Sequence, residues 1–230
     1  MKISGLQKLT LLDYPGKMAA IVFISGCNFR CPFCHNSDLV LSKGEAPEIK
    51  EEELFAFLNK RKNVLDGVVI SGGEPLLYDE TLVLMKKIKK LGYSIKLDTN
   101  GSFPKRLEKA VREGLCDYVA MDIKNSKEKY FETCGTEKID ISGVEKSVEF
   151  LKQGLIPYEF RTTVTNELHT IEDMIKIGKW IEGAPKYFIQ PYRDSESVIA
   201  RGCTTPKKEE IEKIKNALAP FFAEVSVRGE

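Results

Sequence analysis

The chain has 230 residues, of which 42% are apolar and 30% charged, and its formal net charge is +1. This length and balance are those of a globular chain with a substantial core. The near-zero charge excludes a bulk basic surface for nucleic acid, and no stretch approaches the roughly 18 uninterrupted apolar residues of a membrane span. The N-terminal stretch MKISGLQKLTLLDYPGK lacks the apolar core of a signal peptide. We therefore expect a cytoplasmic protein with reduced thiols and neither a membrane nor a nucleic acid as partner.

Short apolar runs, typical of parallel strands buried on both faces, alternate along the chain with amphipathic segments. The predicted strands are Ala19–Ile24, Gly67–Ser71, Ser94–Leu97, Tyr118–Ile123, Tyr158–Val164 and Tyr187–Gln190, followed by a last one at Ala223–Val227. Apolar residues spaced three and four apart predict the helices Glu51–Lys60, Asp79–Leu91, Pro104–Glu113, Val144–Gln153, Ile171–Ile181 and Lys207–Leu218. Six successive strand–helix units indicate an α/β fold with parallel strands and outer helices. Periodicity alone leaves open a doubly wound sheet or a partial barrel.

The segment SGCNFRCPFCHN, residues 25–36, has the spacing C-x3-C-x2-C, formed by Cys27, Cys31 and Cys34. Pro32 excludes one helix through all three thiols but suits the first turn of a helix that begins there. Structural zinc uses four ligands, and His35 follows Cys34 too closely to bind the same ion, so a zinc-binding module is a remote alternative. Three thiolates suit a 4Fe-4S cluster with one iron free of protein ligands.

Five further polar motifs follow the predicted strands at their carboxyl ends, where parallel barrels build active sites. They are SGGEP at 71–75, LDTNG at 97–101, MDIK at 121–124, FRTTV at 160–164 and FIQPYR at 188–193. This placement favours a barrel with six of the eight strands of a TIM barrel. We expect a single domain, with an extension at 1–17, the barrel at 18–205, and a C-terminal helix and strand at 206–230.

The cysteine motif, with Phe33 before its last cysteine, resembles the signature of the radical S-adenosylmethionine superfamily. Residues 9–36, LTLLDYPGKMAAIVFISGCNFRCPFCHN, are similar to the activating proteins of anaerobic ribonucleoside-triphosphate reductases, and more broadly to glycyl-radical-enzyme activases. The resemblance covers essentially the whole chain. It implies a partial (βα)6 barrel and one 4Fe-4S cluster on the three cysteines, which are then both metal ligands and catalytic residues. S-adenosyl-L-methionine would chelate the free iron.

The resemblance implies a role for the GGE motif, and the chemistry of the other polar motifs suits the same cofactor, with an Asx turn at Asp98 and a surface ion pair of Asp122 with Lys124 as the alternatives. The GGE of Gly72, Gly73 and Glu74 would bind the methionyl amino group, and Asp98 would accept a bond from the same ammonium. Asp122 and Lys124 suit the ribose hydroxyls and the carboxylate, while Arg161 needs the cofactor's carboxylate or a buried acid as partner. Gln190 or Arg193 would reach the adenine edge. The predicted cofactor site is completed by Phe33, His35 and Asn100.

The implied reaction is reductive cleavage of S-adenosylmethionine to a 5′-deoxyadenosyl radical, which removes a hydrogen from the Cα of a glycine in a partner enzyme. The implied partners are an anaerobic ribonucleotide reductase and a one-electron donor such as flavodoxin or ferredoxin. A chain that is little more than a partial barrel fits a large partner that closes its lateral opening. The alternative is an enzyme acting on a small molecule or modified nucleobase, similar to 7-carboxy-7-deazaguanine synthases.

The remaining candidates are expected to be structural. We expect Cys116 in the core, and Cys134 and Cys203 as incidental thiols in loops near the active end. His169 is expected on the surface. DYPG, at residues 13–16, predicts a turn.

Overall fold

One eight-stranded sheet organises the computed structural model, which describes residues 1–41, 48–136 and 140–228. The strands lie in sequence order: β1 Ile3–Thr10, β2 Ala19–Ile24, β3 Gly67–Gly72, β4 Ser94–Thr99, β5 Tyr118–Asp122, β6 Tyr158–Val164, β7 Lys186–Pro191 and β8 Glu224–Val227. β1 is antiparallel to β2, and every later neighbouring pair is parallel. Because β1 and β8 are the two ends of this order, the sheet is an open, partial barrel.

Helices connect the parallel strands. They are α1 Ser37–Leu41, α2 Glu51–Lys60, α3 Glu80–Lys90, α4 Pro104–Arg112, α5 Tyr130–Cys134, α6 Ile141–Leu151, α7 Ile171–Trp180 and α8 Lys208–Leu218. The six predicted strand–helix units and the last strand are therefore confirmed, with ends shifted by at most three residues. Residues 229 and 230, the end of the predicted C-terminal segment, lie outside the described residues. In the part of the chain that is described, no helix combines the length and the apolar character that a membrane crossing requires.

β1 was not predicted from the sequence. Residues 1–17, which contain it, were expected to form an extension. Its pairing with β2 is interrupted by two register shifts, between Ile3 and Gly5 and between Gln7 and Thr10. Such irregularities destroy the strict alternation of apolar and polar residues that would have indicated a half-buried strand.

The amino ends of the strands are closed by an apolar plug, which we define as Tyr14, Ala19, Ile21, Val69 and Tyr118. Tyr14 comes from the DYPG segment, whose predicted turn is confirmed by a 3.1 Å bond from Lys17 N to Tyr14 O. Its buried ring lies 6.3 Å from the Tyr118 ring. Gly67 is needed beside it, since a Cβ there would lie 2.9 Å from the Tyr14 ring. The plug leaves the carboxyl ends of the strands as the accessible end of the barrel interior.

Candidate active site

A cleft of about 190 Å³, open to solvent at its mouth, lies at the carboxyl ends of the strands. It brings together residues from the cysteine segment and from the ends of β3, β4, β5 and β6. Of the predicted site residues it is lined by Cys27, Cys31, Phe33, Cys34, His35, Gly72, Gly73, Asp98, Asn100, Asp122, Lys124 and Arg161. Two predicted residues, Glu74 and Gln190, do not line it.

The cysteine segment reaches the cleft as a loop. Cys34 N donates to Cys31 O at 3.0 Å in a tight turn, and the helix that follows, α1, begins only at Ser37. The expected helix start at Pro32 is therefore wrong, and Cys34 precedes the helix by three residues. The loop conformation allows the three thiols to line one side of the cleft.

Two glycines at the end of β3 seat this loop. Gly73 N donates to Ile24 O at 2.9 Å, and a Cβ on Gly73 would lie 2.1 Å from Gly26 O. Gly72 has φ +121°, a conformation that side chains rarely adopt. The absence of side chains on Gly72 and Gly73 therefore lets β3 lie directly against the backbone that carries Cys27. Both glycines also line the cleft.

Glu74 is buried behind the cleft lining and binds residues that follow β3 and β4. Its side chain is fully buried and accepts bonds from Leu76 N at 2.9 Å, Thr99 Oγ1 at 2.8 Å and Asn100 N at 2.6 Å. Burial raises the pKa of Glu74 to about 7, an effect that these donors oppose. In this structure the Glu74 carboxylate therefore holds the LDTNG loop in position, where the sequence had predicted a cofactor ligand.

Charged side chains also line the cleft: Asp98, Asp122, Lys124 and Arg161. Together with the buried Lys96, which pairs with Asp98 from outside the lining, we call them the charge network. Lys124 Nζ lies 2.8 Å from Asp122 Oδ2, and Arg161 Nη2 lies 3.3 Å from Asp98 Oδ2. Arg161 Nε also binds Asp122, and Lys96 binds Asp98. Three cations thus face two carboxylates.

The cations control the ionisation of the carboxylates. Burial alone would raise the pKa of Asp122, but Arg161 and Lys124 hold it well below its ordinary value. Arg161 and Lys96 likewise lower the pKa of Asp98 against the effect of burial. Both acids are therefore anionic at neutral pH, and the network retains one surplus positive charge.

Lys96 was missed by the sequence reasoning, although its side chain is only 1% exposed. A signal was present, because Lys96 and Asp98 are two residues apart in a strand and so point to the same face. Ser71 was also missed, and its hydroxyl donates to Asp98 Oδ2 at 3.0 Å.

Backbone and side-chain N–H groups point at the first thiol. Phe29 N donates to Cys27 Sγ at 3.3 Å, and Asn100 Nδ2 lies 3.9 Å from the same sulfur. Asn28, which the sequence reasoning did not single out, accepts from Asn100 Nδ2 at 3.0 Å and holds it there. Burial raises the pKa of the Cys27 thiol to about 12, so metal binding must displace its proton.

Three thiols that line one cleft are a donor set that suits a 4Fe-4S cluster. Among the described residues, no three His, Cys, Asp or Glu side chains converge closely enough to hold one metal ion. A four-iron cube instead takes each thiolate at a separate corner, which suits three thiols spread along a loop. The N–H donors at Cys27 would stabilise a metal-bound thiolate.

The two histidines differ in solvent exposure. His35 is exposed at the cleft rim, with Nε2 2.6 Å from Arg193 O. His169 is buried, so its expected surface position is wrong. Its Nδ1 accepts from Thr165 N at 3.2 Å, which leaves Nε2–H to donate to Lys124 O at 2.9 Å. Burial lowers the pKa of His169.

The remaining predicted residues take different places. Phe33 is buried and lies edge-on to His169, with ring centroids 6.4 Å apart. Gln190 is half-buried on β7 outside the cleft lining. Cys116 is confirmed as a core residue. Cys134, expected in a loop, is the buried last residue of α5, while Cys203 is half-buried in the loop after β7.

Comparison with known proteins agrees with this geometry. A sequence profile described as the radical SAM superfamily matches residues 21–181. A Methanocaldococcus jannaschii protein named as a glycyl-radical enzyme activating enzyme is 30% identical, over 98% of this chain and 95% of its own length. The pyruvate formate-lyase-activating enzyme of Clostridium pasteurianum is also 30% identical, over 83% of this chain and 82% of its own length.

Solved structures share the fold. Streptococcus suis SuiB bound to S-adenosylmethionine has a TM-score of 0.68 at 15% identity, covering 91% of this chain and 51% of SuiB. A domain of pyruvate-formate lyase-activating enzyme from Bacteroides vulgatus has a TM-score of 0.59 at 18% identity, covering 71% of this chain and 99% of that domain. At these identities the likeness concerns the fold.

Proposed function

Because the chain belongs to the radical S-adenosylmethionine superfamily, we propose that it is an activase that generates a glycyl radical in a partner enzyme. The observation that carries the proposal is that one cleft holds both the three-cysteine loop and the charge network. The two relatives named as activating enzymes support the reaction class. We place the reaction in the cytoplasm, where cysteines stay reduced.

Cys27, Cys31 and Cys34 would hold one 4Fe-4S cluster in this proposal, with no protein ligand on the fourth iron. When bound, cluster and S-adenosylmethionine together supply one-electron cleavage of the C5′–S bond and a carbon radical able to abstract hydrogen. The protein supplies the positions of the thiolates. Gly72 and Gly73 seat the loop, and Phe29 N and Asn100 Nδ2 stabilise the charge on Cys27.

The charge network would bind the methionyl end of the cofactor. Its surplus positive charge suits a carboxylate, for which Arg161 and Lys124 are the candidate partners. Asp98 and Asp122 are the candidate acceptors for the ammonium and the ribose hydroxyls, because both stay anionic. Glu74 acts through the LDTNG loop, whose Asn100 N it binds. We assign Phe33 and His35 to the cofactor's surroundings, and keep Gln190 as a candidate adenine contact.

The partner would close the open side of the barrel between β1 and β8. A glycine-bearing loop of a large enzyme can do this and exclude water from the radical, whereas a small substrate would leave the opening exposed. The resemblance of residues 9–36 supports an anaerobic ribonucleotide reductase as the partner. A low-potential carrier such as flavodoxin or ferredoxin would provide the electron.

The test combines anaerobically reconstituted protein, a reductant, S-adenosylmethionine and the anaerobic ribonucleotide reductase of the same organism. We expect brown protein with about four irons per chain and a glycyl doublet in electron paramagnetic resonance. The matched control is the reductase with its radical glycine changed to alanine, which should give no doublet.

Other results would redirect the proposal. A doublet in pyruvate formate-lyase but not in the reductase would keep the activase and replace the partner. Cofactor cleavage without a protein radical in either enzyme would overturn the activase and favour a small-molecule enzyme similar to 7-carboxy-7-deazaguanine synthases. Colourless protein that binds zinc would overturn the cluster itself.

A further inference from the structure

Lys96 is a buried cation in the middle of β4. Its side chain is only 1% exposed, and its neighbours in the strand, Ile95 and Leu97, belong to the hydrophobic core. Among the described residues, Asp98 is the acidic partner of the Lys96 ammonium. Burying an ammonium is costly, so a strand that needed only stability would carry an apolar residue at this position. Lys96 therefore requires an explanation beyond packing.

Lys96 lies deeper in the barrel than the residues of the cleft. Residues two apart in a strand point to the same face, and β4 ends at the cleft, so Lys96 precedes Asp98 by about 7 Å along the strand. Asp98 lines the cleft, whereas Lys96 does not. Lys96 is therefore not expected to contact a bound ligand, and its influence on the cleft passes through Asp98 and through its charge.

Asp98 is held through both of its carboxylate oxygens. Lys96 binds Oδ1, while Ser71 Oγ donates to Oδ2 at 3.0 Å and Arg161 Nη2 lies 3.3 Å from the same oxygen. Lys96 thus neutralises Asp98 from the side away from the cleft. Arg161 also binds Asp122, and with Lys96 in place it is not required as the counter-ion of Asp98.

A count of charges shows what Lys96 adds. The four members of the charge network that line the cleft are two carboxylates and two cations, namely Asp98, Asp122, Lys124 and Arg161. Their charges cancel, so the surplus positive charge of the network comes from Lys96. A positive surplus beside a cleft favours the carboxylate of a ligand over its ammonium.

We propose that Lys96 is a positioning residue that makes the cleft selective for ligands with a carboxylate. It neutralises Asp98 and so leaves the positive charge of Arg161 and Lys124 to the methionyl carboxylate of S-adenosylmethionine. The inference rests on the proposed function, because it concerns the cofactor assigned there to this cleft. It adds the residue that determines the preference for the amino-acid end of that cofactor.

The experiment compares S-adenosylmethionine with its decarboxylated analogue by equilibrium binding to the reconstituted, unreduced protein. The analogue keeps the ammonium, the sulfonium and the nucleoside and lacks only the carboxylate. The quantity measured is the ratio of the two dissociation constants. Lys96→Met replaces the buried charge by an apolar side chain of similar length. Lys89→Met is the matched control, because Lys89 pairs with Asp117 outside the cleft lining.

In Lys96→Met we expect the affinity for S-adenosylmethionine to fall about tenfold, because this ligand carries the carboxylate. The affinity for the analogue should stay the same or rise, and Lys89→Met should keep the wild-type ratio. An unchanged ratio in folded Lys96→Met overturns the inference. An equal loss of both affinities overturns it as well, because it would indicate that Lys96 only supports the packing of β4.

Two further variants keep the test decisive. Lys96→Gln retains an N–H donor for Asp98 and removes only the charge, so it gives the same comparison if denaturant unfolding shows that Lys96→Met is not folded. Lys96→Met combined with Asp98→Asn removes the buried pair and leaves Asp122 facing two cations. The surplus charge then returns, and the ratio should move back towards wild type. A ratio that stays at the Lys96→Met value would overturn the inference.

The inference and the proposed function fail differently. Wild-type protein that binds neither ligand refutes the proposed function. A wild-type preference for S-adenosylmethionine that survives the loss of the Lys96 charge refutes only the role of Lys96.

Discussion

The two ends of the barrel interior have opposite chemistry although the same strands build both. At the amino ends, the apolar plug fills the space with packed side chains around Tyr14. At the carboxyl ends, thiols and the charge network surround an open cleft. β5 shows the change within a few residues, as its first residue, Tyr118, belongs to the plug while its last, Asp122, belongs to the network. We therefore expect mutations in the plug to change stability alone, whereas mutations at the carboxyl ends should change the cluster or the binding of S-adenosylmethionine.

The largest effect is expected for Cys31→Ala at the carboxyl end. Loss of one of three thiolates should abolish the intact cluster and, with it, cleavage of S-adenosylmethionine. Iron analysis, visible absorption and the yield of 5′-deoxyadenosine measure this after anaerobic reconstitution. Cys116→Ala, the buried thiol control, should retain about four irons. Full iron content in Cys31→Ala would show that this thiol is not a cluster ligand.

Substitutions in the plug should change the free energy of unfolding without changing the binding of S-adenosylmethionine. Tyr14→Ala removes a buried aromatic ring and is expected to lower the free energy of unfolding by about 3–5 kcal/mol. Tyr14→Phe keeps the ring and should lose about 1 kcal/mol at most. Denaturant unfolding gives both values. The separation of the two ends would be refuted if folded Tyr14→Ala protein had lost its affinity for S-adenosylmethionine.

Arg161→Met should affect both measurements, because Arg161 joins Asp98 and Asp122 within the charge network. Each carboxylate keeps one lysine, so we expect a stability loss of about 2–3 kcal/mol, below that of leaving a buried charge unpaired. Affinity of the reconstituted protein for S-adenosylmethionine should fall about tenfold or more, equivalent to roughly 1.4 kcal/mol. Equilibrium binding to the unreduced enzyme measures this. Wild-type affinity in a folded variant would exclude Arg161 from the cofactor site.

The smallest expected effect is the contribution of His169 to the pH dependence of the free energy of unfolding. Burial lowers its folded-state pKa below the unfolded value of about 6.5, so its contribution is complete above that pH. As the pH falls further, the unfolded chain takes up the proton first and stability is lost, by at most about 1.4 kcal/mol per pH unit.

Unfolding of wild type and His169→Gln between ~pH 7.5 and ~pH 5.5 isolates this contribution, since the variant should show a flatter profile. A His169→Gln profile as steep as the wild type would mean that His169 is protonated equally in the folded and unfolded states.

Much of the fold was predictable because strand–helix alternation is a local property of the sequence. The predicted strands appear in their predicted order, whereas β1 was missed because its register shifts remove the alternation. The sequence predicted most of the residues that line the cleft, but it was less informative about what each residue contacts. Glu74 was predicted to bind the cofactor, a role that stays a prediction, and the structure adds that its buried carboxyl accepts a bond from Asn100 N. His169 was misplaced because nothing near it in the sequence shows what it contacts. Lys96 was overlooked although its spacing from Asp98 was a usable signal.

Local features of the chain were enough to indicate which chemistry this protein carries. The spacing of Cys27, Cys31 and Cys34, the proline between them and the polar residues that end successive strands are local features that can be read without coordinates. The tertiary structure was needed to show which polar groups line the cleft and which, like Glu74, are buried behind the lining and bind its residues. It also tied the end of α5 to the cysteine loop, through the bond from Arg30 N to Cys134 O. The physical reason is that burial and hydrogen bonding depend on distances between segments, which the strand order and packing establish together.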